Sequence, residues 1–190
     1  MLHELLETQA EQLGLPLDPR GESPPGQRFA ALIRAAAAAS PSGRAVVLVD
    51  EYDKPIAHVL EDAPRARAHR DALKEFYGVL RPLDAHLEFV FLTGVSAFSK
   101  VSLFSDLNNV TNLALDPIAA TVVGWTEAEL DDTFGAALAA TGVARTQLRR
   151  WYNGYRFAAD ATPVYNPWSV LSFLRAGQLR SFWFETGTPT

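Results

Sequence analysis

The sequence predicts an α/β protein: a parallel-sheet core within residues 1–125, followed by a mainly helical subdomain over residues 126–190. Three observations carry this. Ala45–Val49 (AVVLV) and Leu87–Thr93 (LEFVFLT) are short, continuous apolar runs rich in β-branched and aromatic residues, the pattern of strands buried on both faces. Between them, about residues 64–80, Ala66, Leu73, Phe76, Tyr77 and Leu80 recur along one side of a helix. Strand, helix and strand within about 45 residues make a βαβ unit, which favours parallel pairing and a right-handed crossover.

The other elements follow in order. Leu2, Leu5, Leu6 and Leu13 lie at helical spacing and predict an amphipathic helix over 2–13. The Pro- and Gly-rich stretch LGLPLDPRGESPPG must be a loop. An Ala-rich helix follows over about 27–39, and SPSG at 40–43 stops it. Residues 95–125 read as a long, mostly irregular stretch, of the kind that is usually functional or packed against something. Thr126 with Glu129 is a capping-box pattern that opens a helix to about Ala140, ended by Gly142. A further turn or two covers about 145–151. In WYNGYRF (151–157), Asn153–Gly154 predicts a hairpin turn between aromatic flanks. Asn166 and Pro167 then supply a cap and a first-turn proline for a helix to about Leu174.

Composition narrows the function. A chain of 190 residues suffices for one domain with a real core, or one domain and a small appendage. No apolar run approaches the ~18–20 residues that span a bilayer. The start, MLHELLETQAEQLG, lacks the basic-then-apolar profile of a secretory signal, so a cytoplasmic location away from membranes is expected. The absence of cysteine removes disulfides, thiolate nucleophiles and Cys-ligated zinc. A net charge of −5 gives no global pull toward phosphate backbones. His3, His58, His69 and His86 are scattered and show no paired metal-ligand spacing.

Ligands of open α/β sheets bind beyond the carboxyl ends of the strands. Asp50 and Glu51 stand where the first strand ends, and in an extended segment their side chains would point to opposite sides. AVVLVDEYD thus has the pattern of a Walker B strand in a P-loop NTPase. There Asp50 would help hold Mg²⁺ and Glu51 would polarise the attacking water, since phosphoryl transfer depends on positioning and charge neutralisation. The alternative is that Asp50 or Asp53 merely caps a helix beginning at Lys54–Pro55. Thr93 closes the second strand one βαβ unit later, where related NTPases place a sensor for the γ-phosphate or its water; it is otherwise a threonine ending a strand before a Gly turn. Lys100 follows Ser96 and Ser99 in the next loop and is a candidate phosphate ligand, or simply an exposed lysine. A phosphate-cradling loop requires G-x-x-x-x-G-K-[ST], and no window contains it: none of Lys54, Lys74 and Lys100 follows a glycine. A core with the acid pair alone is not expected to hold ATP well.

Taken in order, VVLVDEYDKPI (46–56), FVFLTGVSAFSKVSLFSDLNNVTNLALDP (89–117), WYNGYRF (151–157), VYNPWSVLSFL (164–174) and FWFETGTPT (182–190) resemble the bacterial AAA-ATPase-like family, over nearly everything from Arg44 to Thr190. The resemblance implies a partial P-loop NTPase (AAA-like) core, with Walker A upstream of this segment and, in many members, a PD-(D/E)XK nuclease-like domain downstream. It implies ATP and Mg²⁺ as cofactors of the complete protein, Asp50 and Glu51 as the Walker B acids and Thr93 as the sensor. Asp53 and Lys54 belong to the same signature. Two functions are then in view: a Mg²⁺-dependent ATPase of which this chain looks like a fragment, or a degenerate, non-catalytic interaction module. Within the chain itself no Asp followed by Glu-x-Lys supports a nuclease. Trp151, Tyr152, Tyr155, Phe157, Tyr165 and Trp168, with Arg149, Arg150 and Arg156 nearby, either stack single-stranded nucleic acid or pack the helical half.

Overall fold

The computed structural model describes residues 2–17, 23–94 and 110–184. The chain falls into two compact units, Met1–Thr111 and Asn112–Thr190. The first contains α1 (Leu2–Leu13), α2 (Pro25–Ala39), β1 (Ala45–Val49), α3 (Lys54–Ala57), α4 (Ala63–Gly78) and β2 (Leu87–Leu92). Proline at the first turn of α2 gives up a backbone donor that has no intrahelical partner there in any case. The Asp62 side chain accepts from the Arg65 amide and so caps α4.

As the strand–helix–strand pattern predicts, β1 and β2 pair in parallel. The register runs Ala45–Leu87, then skips one residue to Val46–Phe89 and continues to Val49–Leu92. The inward row, with Ala45, Val47 and Leu87 buried, packs on the helices. Phe29 of α2 stacks on Phe76 of α4 with ring centroids 4.6 Å apart. α1 is tied to α2 by Arg28, which is only 2% exposed and donates to Glu7 at 3.0 Å and to His3 Nδ1 at 2.8 Å. Such an ion can stay buried because its hydrogen bonds replace hydration.

Burial on both faces, expected from the continuous apolar runs, is not met. On the outward row Val46 is 57% exposed, Leu48 70% and Phe89 53%, with the Phe89 and Phe91 rings stacked beside them. A strand is covered on two faces only when a layer lies on each, and the described helices of this unit pack on one.

The second unit contains α5 (Glu127–Ala140), α6 (Arg145–Tyr152), β3 (Asn153–Tyr155), β4 (Val164–Tyr165) and α7 (Pro167–Ala176). Leu130, Leu138, Leu148, Tyr152, Tyr165, Val170, Phe173 and Phe182 form its core. Trp125 bridges Tyr165 through a reciprocal pair of backbone hydrogen bonds, so residues 112–125 group with this unit. Both cap patterns form: Thr126 and Glu129 make the reciprocal capping box, and Asn166 accepts from the Ser169 amide. The hairpin differs from expectation. Asn153 and Gly154 lie inside β3, which pairs antiparallel with β4, and the connection runs through 156–163. The Asn153 side chain accepts from the Gly154 amide, and Gly154 takes a φ of 116°, so the pair shapes the end of α6 instead of a two-residue turn.

Candidate functional site

Parallel pairing brings the carboxyl ends of β1 and β2 side by side, and hydrogen bonds continue beyond both strands. The Thr93 amide donates to Val49 O at 2.8 Å, and the Tyr52 amide donates to Thr93 O at 2.8 Å. The Thr93 hydroxyl accepts from the Glu51 amide at 3.2 Å and donates to Asp50 Oδ1. One side chain from β2's end therefore holds the segment that carries both acids. The structure brings together Asp50, Glu51 and Thr93, as the sequence suggests. Lys100 lies outside the described residues.

Asp50 and Glu51 lie beyond β1, so strand alternation does not set where their side chains point. β1 ends at Val49, and Glu51 adopts φ = 53°, the only positive φ at a non-glycine position among the described residues. A left-handed glutamate is strained, because its Cβ crowds the following carbonyl. Its carboxylate turns to Lys54, with Nζ 2.7 Å from Oε2, and both side chains remain largely exposed. Glu51's hydrogen bond and charge, with a smaller part from Asp50, raise the Lys54 ammonium above its usual value. The capping alternative resolves in part: Asp53 occupies the N-cap position of α3, but its side chain makes no capping hydrogen bond, and it is 1% exposed. The Glu51–Lys54 pair was missed by sequence reasoning, although its i, i+3 spacing was a usable signal. The strained φ had no such signal.

The donor set, two carboxylates and a hydroxyl, is of the hard-oxygen kind that Mg²⁺ accepts. Asp50 and Glu51 are exposed hard-oxygen groups at the end of β1, with the Thr93 hydroxyl bonded to the Asp50 carboxylate and to the Glu51 amide. Among the described residues no three or more His, Asp or Glu side chains cluster in a way that would hold a metal. Mg²⁺ commonly takes one or two carboxylates, which this site can offer, and completes its shell with phosphate oxygens and water.

A second charged cluster lies in the other unit. Glu127 accepts from the Tyr165 hydroxyl at 2.9 and 3.0 Å, from Arg145 Nε at 2.8 Å and from Arg149 at 3.0 Å. Arg145 also pairs with Asp131 and lies over the Tyr165 ring. Burial alone would raise the Glu127 carboxyl, but the hydrogen bonds from Tyr165, Arg149 and Arg145 outweigh it and hold it below its usual value. The surrounding aromatics divide: Tyr152 and Tyr165 are core, while Trp151, Tyr155 and Trp168 are exposed.

Among the described residues no helix is long and apolar enough to cross a membrane. A family described as "Predicted AAA-ATPase" matches residues 1–104, more than half of the chain. An uncharacterized protein in the vnfD 5′ region of Azotobacter chroococcum mcd 1 is 44% identical over 187 residues, covering 98% of this chain and 35% of that protein. The chain thus spans about a third of the length of the curated relative it matches. No solved structure matches it. With its βαβ core and the acids gathered at the strand ends, the chain belongs to the AAA-ATPase-like family.

Proposed function

We propose that this chain supplies the Walker B and sensor part of a P-loop ATPase site, and that the intact protein binds ATP and hydrolyses it with Mg²⁺. The observation that carries this is the Thr93 hydroxyl, which joins Asp50 and the Glu51 backbone at the ends of two parallel strands. Asp50 would hold the metal ion, directly or through water. Glu51 orients the water that attacks the terminal phosphate, and it must leave Lys54 to do so. Thr93 holds the two acids in register. Lys100 is proposed as a further phosphate contact. Bound Mg²⁺ would supply charge neutralisation at the phosphates. In this reading the first unit is the NTPase portion and the second a helical subdomain, in the cytoplasm.

In the intact protein, Glu51→Gln is expected to slow ATP hydrolysis about 100-fold or more, the range for removing a proton-accepting group, while nucleotide affinity stays the same. Unchanged turnover in that variant removes the role given to Glu51. The second reading, a non-catalytic NTPase-like module, is favoured by one observation: no G-x-x-x-x-G-K-[ST] occurs in the 190 residues. Titration of the chain with a fluorescent ATP analogue and Mg²⁺ separates the two. Saturable, Mg²⁺-dependent binding supports the ATPase reading, and its absence leaves nucleotide binding to sequence outside these residues or to none.

A further inference from the structure

The turn that carries Asp50 and Glu51 is fixed at both flanks. Upstream, β1 is locked to β2 as far as Val49, and the Thr93 amide closes on Val49 O at 2.8 Å. Downstream, Tyr52 and Asp53 close around Gly94, the first residue after Thr93. A Cβ built on Gly94 would stand 2.5 Å from a Tyr52 ring carbon and 2.7 Å from Asp53 Oδ1. Both are closer than real carbon atoms approach, so the bare glycine is what lets the two side chains settle there. Asp53 is almost fully buried, beside α4's Tyr77, whose phenol is pushed up to about 12 by burial, then by the Asp53 charge and by Tyr52. The Tyr52 amide is bonded to Thr93 O, and the Lys54 amide to Glu51 O at 3.0 Å. Between these fixed ends only Asp50 and Glu51 remain to turn the chain from strand to helix, and the strain falls on Glu51.

We propose that Asp53 is a positioning residue for the acid pair: seated on Gly94 at the end of β2, its buried side chain forces Glu51 into the left-handed conformation. Strain of this kind persists only where surrounding structure imposes it, and it gathers at functional sites. The conformation is the property at stake, whatever the acids act on. The inference deepens the ATPase reading but can be tested without nucleotide.

The test uses the full 190-residue chain and the intraresidue amide–Hα NMR cross-peak of Glu51, which is strong for φ near +55° and weaker for a right-handed residue. The wild type and Asp53→Asn, which keeps shape and an acceptor oxygen, are expected to show the strong peak. In Asp53→Ala and Gly94→Ala it is expected to fall to the intensity of ordinary helical residues, with the other core peaks in place. A strong Glu51 peak in a folded Asp53→Ala overturns the proposal. If Asp53→Ala does not fold, Gly94→Ala decides: a weakened peak in a folded protein supports the proposal, and a strong peak or loss of the fold overturns it. Glu51→Gly reads the strain separately. It is expected to raise Tm by a few degrees in the wild-type background, and no rise overturns the proposal. Failure of ATP binding or hydrolysis leaves these outcomes untouched, so the two readings fail separately.

Discussion

Two clusters of charged side chains, one around Glu127 and one at the ends of β1 and β2, are built in opposite ways. Around Glu127 three donors converge on a single carboxylate, and a second acid, Asp131, takes up the remaining reach of Arg145. Its hydrogen-bonding capacity is used internally, and the assembly joins α5, α6 and β4. At the ends of β1 and β2, by contrast, Asp50, Glu51 and Lys54 project into solvent from a strained turn, with capacity left for other groups. Charge that is closed on itself holds a fold together, whereas charge held open by a rigid backbone is available for a ligand. The comparison also shows that perturbed titration alone does not locate a site, since the larger set of hydrogen bonds acts on Glu127, the structural group.

The sharpest break should come from the core that supports the closed cluster. Phe173 is fully buried, and Phe173→Ala is expected to cost about 3–5 kcal/mol, measured by urea unfolding, through lost contacts and the cavity left behind. Next is Glu127→Gln, which takes the charged acceptor from Tyr165 and Arg149 and leaves Arg145 only Asp131; a loss of about 1–2 kcal/mol is expected, kept small because Arg149 is well exposed. The same group sets a pH dependence. Its folded value lies below the ordinary 4.5, so its contribution is complete above about pH 4.5 and disappears as pH falls through the folded value. Tm measured from pH 6 downward should fall more steeply in the wild type than in Glu127→Gln. In the first unit, Val47→Ala on the inward row is expected to cost about 1–3 kcal/mol, against no more than about 0.5 kcal/mol for Leu48→Thr on the outward row. Equal costs at the two positions would mean that the outward row is covered in solution.

Much of this was legible in local chemistry. Caps announce themselves because their partners are three residues away, so Thr126–Glu129 and Asn166–Ser169 could be read directly. The parallel pair followed from β-branched runs flanking a helical period, and Thr93 could be placed beside the acids because parallel strands end together. What failed depended on distant partners. The Asn153–Gly154 signal was overridden by pairing with Val164 and Tyr165, which lie ten or so residues on. Apolar runs in β1 and β2 show that both faces can be buried, but not that both are. The left-handed Glu51 had no signature at all, because it is imposed by Tyr52 and Asp53 closing on Gly94, more than forty residues downstream of the turn.

The outward row of the sheet has a consequence for how the protein behaves in bulk. Val46, Leu48, Phe89 and Phe91 make an exposed apolar surface, and a net charge of −5 opposes the meeting of two such surfaces. That repulsion reaches about 10 Å in 0.1 M salt and about 3 Å in 1 M salt. The chain should therefore be most soluble in dilute buffer above its isoelectric point near 5.3, and clouding on added salt should track the screening length before any unfolding is seen.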